Sequence, residues 1–191
     1  MKKVILLLSL SLFYFSALAQ TQGIGIRLGE PMGVTYKKYF GRSKAIEFGL
    51  GSAGPGWNYS YYRNSFESRN QYDDYRYRSH SVQSIVYLQG RYLLHYDIYI
   101  QGLEGKWDWC WGVGGMLKLA KVRYRFADDA PPFNETDTYT DVDFGPEGII
   151  GMEYTFKDVP LTVFGEVSLL LEIVDRVTLR PFGGAGVRYN F

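Results

Sequence analysis

Apolar and polar residues alternate at every second position through eight separate stretches of this chain, and that period limits what it can fold into more than any other feature. Successive side chains of a strand point to opposite faces, so each stretch describes a strand whose two faces meet unlike surroundings. From Gly23 to Gly29, Ile24, Ile26 and Leu28 share one face, and Gly23, Gly25, Arg27 and Gly29 share the other. The turn-forming Glu30-Pro31-Met32-Gly33 leads into Val34 to Phe40, where Val34, Tyr36 and Phe40 share a face with Lys38. After Gly41-Arg42-Ser43, Ile46, Phe48 and Leu50 oppose Ala45, Glu47 and Gly49.

A long polar insertion, residues 52–81, follows before the pattern resumes near Val82. Val86, Leu88, Tyr92 and Leu94 then oppose Tyr87, Gln89, Arg91 and His95. In the fifth stretch Trp107, Trp109, Trp111, Val113, Leu117 and Leu119 oppose Asp108, Cys110, Met116 and Lys118. The sixth sets Val142, Phe144, Ile150, Met152, Tyr154 and Phe156 against Asp143, Glu147, Ile149, Gly151 and Glu153. The seventh sets Leu161, Val163, Val167, Leu169, Leu171 and Ile173 against Thr162, Phe164, Glu166, Ser168 and Glu172. The eighth sets Ala185, Val187, Tyr189 and Phe191 against Gly184, Gly186, Arg188 and Asn190. Eight strands are expected.

In a soluble sandwich or lipocalin-like barrel the apolar face lies inside; in an outer-membrane barrel it meets lipid. The polar faces carry Arg27, Lys37, Glu47, Arg91, Lys118, Glu147, Glu153, Glu166, Glu172 and Arg188, interleaved with glycine. A solvated surface has no need of that glycine, whereas the narrow interior of eight strands must set small residues beside large ones. Reversing the faces would put about ten charges against lipid, at roughly 2–4 kcal/mol for each midplane Lys or Arg. That exceeds a typical net stability of about 5–15 kcal/mol. The expected fold is therefore all-β, an eight-stranded antiparallel up-and-down transmembrane β-barrel. Phe40, Tyr92, Trp107, Trp109, Tyr154, Phe156, Tyr189 and Phe191 fall at the strand ends expected on the periplasmic side, which predicts an aromatic girdle there.

Residues 1–19 fit an export leader. Lys2 and Lys3 precede an apolar run from Val4 to about Phe15, and Ala17-Leu18-Ala19 forms a small-x-small cleavage site. The barrel domain is then residues 20–191. No cysteine lies near the cleavage site, so a lipid-anchored lipoprotein is not expected, and Cys110, the one cysteine, cannot form an internal disulfide. Beyond residue 19 no apolar run is long enough for a transmembrane helix. With 21 basic and 20 acidic residues in the full chain, phosphate neutralisation of a nucleic acid is not an expected mode of binding.

The chain finishes Val187-Arg188-Tyr189-Asn190-Phe191, an alternation ending on an aromatic residue. This resembles the assembly signal that outer-membrane barrels present to the barrel-insertion machinery. The whole mature chain is similar to small eight-stranded barrels of the OmpA/OmpX type. It resembles more closely the uncharacterised outer-membrane β-barrel domain family of Gram-negative bacteria, through Arg27-Leu28-Gly29-Glu30-Pro31, Trp109-Cys110-Trp111-Gly112-Val113-Gly114 and Gly151-Met152-Glu153-Tyr154-Thr155-Phe156. The resemblance implies an outer-membrane location and carries no activity, because such folds host many functions.

Lumenal charges should pair, since an unpaired ion in a narrow interior is costly. The three-residue turn at 41–43 predicts Lys37 opposite Glu47, and the last hairpin predicts Glu166 near Arg188. A closed ionic plug is expected; the alternative is a narrow pore. Another alternative is a lipid-modifying rim enzyme of the lipid A deacylase type, with His80 as its candidate histidine. Ser79 and Ser81 point away from His80 on a strand, and Ser84 is too distant, so no catalytic set and no cofactor is expected. His80, His95 and Cys110 do not by themselves make a zinc site. Gly49, Gly51 and Gly54 have a dinucleotide-loop spacing, but Pro55 and Gly56 exclude the helix that must follow.

Binding residues tend to sit on loops held by a rigid scaffold. Trp57, Tyr59, Tyr61, Tyr62, Tyr72, Tyr75 and Tyr77, with Arg63, Arg69, Arg76 and Arg78, form an external-loop binding candidate. The partner is then an unknown extracellular or envelope component; the alternative is that these residues extend strands three and four above the membrane, with the arginines meeting lipopolysaccharide phosphates. The stretch 126–141 is expected to be an acidic, solvated loop.

Overall fold

A single antiparallel sheet closes on itself through strands β1 (Gln22–Glu30), β2 (Met32–Phe40), β3 (Lys44–Ser52), β4 (Tyr75–Ile98), β5 (Lys106–Asp128), β6 (Asn134–Thr155), β7 (Leu161–Glu172) and β8 (Thr178–Asn190). Each strand pairs with its sequence neighbour, and β1 pairs with β8 from Gly23↔Asn190 to Glu30↔Gly183. The computed structural model describes residues 21–52, 62–63, 66–67, 75–128, 134–173 and 177–191. The proposed leader, residues 1–19, lies outside them.

The period-two faces sort as an inside-out barrel. Ile26, Phe48, Leu88, Val113, Ile150 and Val167 are all more than half exposed, while Arg27, Lys37, Glu47 and Arg188 are fully buried. Closure puts the ionic face inside because only there can each charge reach a partner on another strand.

Strands β4, β5 and β6 are far longer than the alternation suggested. β4 begins at Tyr75 rather than Val82, and the stretch 126–141, expected to be an acidic loop, is largely strand. The reason is visible on β5. Up to Leu119 its outward residues are apolar, whereas beyond it Lys121, Arg123 and Arg125 point outward and Val122, Tyr124 and Phe126 are buried. The alternation continues, but its polarity inverts at Lys121. Opposite on β6, Thr136, Thr138 and Thr140 continue the polar outer surface. A reading tuned to one face polarity loses the strand where that polarity changes sign.

Registers are set by the turns. Phe40↔Lys44 across Gly41 brings Lys37 opposite Glu47. Gly41 takes φ 67° with no neighbour near its absent side chain, which is the left-handed conformation a tight hairpin requires. The last hairpin differs from expectation: Glu166 pairs with Gly184 and Arg188 with Thr162. β8 starts at Thr178, well before Gly184, which sets Glu166 and Arg188 four positions apart along the hairpin.

Candidate functional site

Among the described residues, buried polar side chains concentrate in the lumen. Lys37 Nζ lies 2.5 Å from Glu153 Oε1 and 3.9 Å from Glu47 Oε2. Arg188 spans the same two carboxylates, donating to Glu153 Oε1 at 3.0 Å and Glu47 Oε2 at 2.7 Å. Its guanidinium lies 4.6 Å from the ring centre of Phe164, a cation–π contact. Arg91 grips Glu147 with two nitrogens, Nε and Nη2, at 3.1 and 2.7 Å. Its Nη1 donates to Glu166 at 2.6 Å and Glu47 at 3.1 Å. Arg27 meets Glu166 at 3.1 Å and Gln89 at 3.2 Å, and Gln89 donates to both oxygens of Glu147. Four cations and four carboxylates thus form one network. Glu166 is held by Arg27 and Arg91 rather than Arg188, because the hairpin register carries Arg188 toward Glu47 and Glu153.

Glycine makes the room. A Cβ on Gly23 would sit 2.6 Å from Arg188 Cδ, and one on Gly184 would sit 2.7 Å from Arg27 Nε. The large cations occupy the volume that their facing strands leave empty.

A second cluster lies further up the lumen. Lys118 Nζ contacts Asp143 at 2.5 Å and Glu172 at 3.7 Å, and Arg180 Nε contacts Glu172 at 2.6 Å. Tyr87, Met116 and Leu170 form a buried apolar layer, and Ala45, Leu93 and Ile149 form another. Asp143 is the register partner of Lys118, a pairing that only the β5–β6 register reveals. Arg180 precedes the alternation that marks the eighth strand in the sequence, and β8 reaches back to include it.

Above these layers sits an aromatic cap. Tyr62 and Phe66 are buried against Ile85, Ala120, Val122, Tyr124 and Phe126. Burial, then the carboxylates of Asp141 and Asp143, pushes the Tyr62 hydroxyl above the ordinary tyrosine range. His80 Nδ1 lies 2.6 Å from the Tyr77 hydroxyl, and its ring stands edge-on to Tyr62 at 5.5 Å. Burial lowers the His80 pKa.

The external-loop candidates therefore divide. Trp57, Tyr59, Tyr61, Arg69 and Tyr72 lie outside the described residues. Tyr75, Arg76, Tyr77 and Arg78 are not loop residues: they open β4, with Tyr75↔Asp128 and Tyr77↔Phe126 across to β5. Tyr62 points inward to the cap, and Arg63 is exposed beside Glu67 at 2.9 Å. A loop tyrosine was taken for a contact residue because composition cannot tell which way a ring folds back.

Toward the other end, Phe40, Tyr92, Trp109, Phe156, Tyr189 and Phe191 are exposed. Trp107 and Tyr154 are partly covered by each other, with ring centres 5.2 Å apart. Tyr96, which the sequence reading passed over, stacks on Trp109 at 4.8 Å and 19°.

With this geometry in place, comparison with solved structures is direct. The N-terminal β-barrel domain of Pseudomonas aeruginosa OprF superposes with a TM-score of 0.52 at 10% identity, over 90% of this chain and 98% of that one. The chain has the fold of an eight-stranded outer-membrane β-barrel. Ail, the attachment invasion locus protein of Yersinia pestis, is similar over 89% of this chain and 93% of its own at 9% identity, with a TM-score of 0.40. Its complex with the heparin analogue sucrose octasulfate gives 0.36 at 11% identity, over 89% of this chain and 96% of that one. No protein-family model matches the sequence, and no curated protein matches it closely.

Proposed function

We propose that this chain is an exported, integral outer-membrane barrel that braces the envelope or binds partners through its external face, without catalysis and with its lumen closed by ionic side chains. The observation that carries the reading is the inversion on β5. Below Leu119 the outward face is apolar, and from Lys121 it is cationic, as a strand leaving hydrocarbon for a charged surface requires.

Lys121, Arg123 and Arg125, with Arg76 and Arg78 on β4, give that surface exposed cations just above the apolar band. Guanidinium forks suit phosphate oxygens, so lipopolysaccharide is the favoured lipid contact. Phe191 at the carboxy terminus suits presentation to the barrel-insertion machinery, and the leader at 1–19 suits export. His80 is engaged by Tyr77 and Tyr62, an environment that supports a packing role over proton transfer to a serine. The paired charges and two apolar layers favour a plug over a pore.

Fractionation of cells with heat-modifiable gel mobility tests placement; recovery in the soluble fraction would refute it. Planar-bilayer recording tests closure, and steady large conductance from the folded monomer would refute the plug. Replacing Lys121, Arg123 and Arg125 together with serine should weaken binding to lipopolysaccharide-containing vesicles while leaving folding intact.

A further inference from the structure

His95 and Cys110 face each other directly across β4 and β5, and Glu153 comes to the same place from β6. Their ligating atoms all lie within 4.8 Å of one another, and all three side chains are buried. His95 is only 4% exposed, and its Nδ1 has no hydrogen-bond partner. Nε2 stands 3.5 Å from Glu153 Oε2, short of a formed bond. A buried imidazole with Nδ1 unpartnered and Nε2 held only loosely by a carboxylate is costly in such a lumen.

We propose that His95, Cys110 and Glu153 form a binding site for a thiophilic divalent cation of the zinc class. Thiolate, imidazole and carboxylate are the three donor types such ions take, at about 2.0–2.3 Å. Any three atoms within 4.8 Å of one another can be touched by a centre no more than roughly 2.8 Å from each, so closing the site needs shifts of about 0.5–0.8 Å. Gly151, the register partner of Cys110, lets the strands close tightly around the sulfur: a Cβ there would sit 3.4 Å from Sγ and 2.9 Å from the Gly165 carbonyl oxygen.

The carboxylate is divided for the purpose. Oε1 of Glu153 holds Lys37 and Arg188, while Oε2, oriented by the Tyr39 hydroxyl at 3.1 Å, faces His95. Hydrogen bonds of this kind to a carboxylate hold its oxygen in the orientation a metal needs. Charge also fits. The four-cation, four-carboxylate network is neutral, and a divalent ion with one thiolate adds a single positive charge. Asp97 and Asp108, bridged by Lys106 at 2.8 and 3.0 Å, lie at the adjacent rim, where Arg42 also acts on Asp97. They lie two residues along the same strands, roughly 7 Å from His95 and Cys110.

The test uses the full barrel refolded in detergent micelles, stripped with chelator and titrated with Co2+, then Zn2+. One equivalent of Co2+ should give a thiolate-to-metal charge-transfer band that Zn2+ displaces. Cys110→Ser should abolish the band, and His95→Gln should weaken Zn2+ binding by at least about 100-fold. Heat-modifiable mobility confirms that both variants fold. Absence of the band in the folded parent, or unchanged Zn2+ affinity in folded His95→Gln, would overturn the proposal.

Discussion

Arg188 Nη2 donates to Glu47 Oε2 across the lumen at 2.7 Å, joining residues 141 positions apart in the chain. Both are buried, and each is shared with other ions of opposite sign. Removing one partner strands the others. Arg188→Met should therefore destabilise the barrel by about 3–5 kcal/mol, read from urea unfolding in lipid vesicles. A loss below about 1 kcal/mol would mean the network relaxes around the gap.

The lipid face predicts the opposite sensitivity. Ile150 is 53% exposed within the apolar-faced part of β6 that runs from Val142 to Tyr154. Ile150→Lys should cost about 2–4 kcal/mol, because the charge meets hydrocarbon. Thr138→Lys, exposed on the same strand beyond the inversion, should be close to neutral. Equal costs at the two sites would place the membrane boundary elsewhere.

Close approach at the β1–β8 seam gives a third expectation. A side chain on Gly184 would meet Arg27 Nε at 2.7 Å and the Leu28 carbonyl at 2.9 Å. Gly184→Val should cost roughly 1–3 kcal/mol through overpacking, measured by the same unfolding experiment. Gly148, with nothing within 4 Å of such a group, should accept alanine with little change.

Acid should loosen the aromatic cap. His80 has its folded pKa lowered by burial, against about 6.5 when unfolded. Above that value both states are neutral and the cap keeps its full stability. As pH falls below it the unfolded state takes up the proton first, so stability declines. Hydrogen exchange at Tyr124 and Phe126 should accelerate from about pH 6.5 downward, and His80→Gln should flatten the response. Slower exchange on acidification would reverse the assigned sign.

The sequence by itself determined the strands inside the membrane band, their lipid-facing and lumenal sides, and the Lys37–Glu47 register. Period two fixes which residues share a face, and a three-residue turn leaves one way to align its flanks. Only the tertiary structure decided the partners of Glu166, the inward turn of Tyr62 and the length of β4 to β6. Ion pairing across a lumen depends on barrel closure, which joins residues over a hundred positions apart. The meeting of His95, Cys110 and Glu153 has the same origin: two histidines and a cysteine make no site in one dimension, and β6 supplies the missing carboxylate only when the sheet is formed.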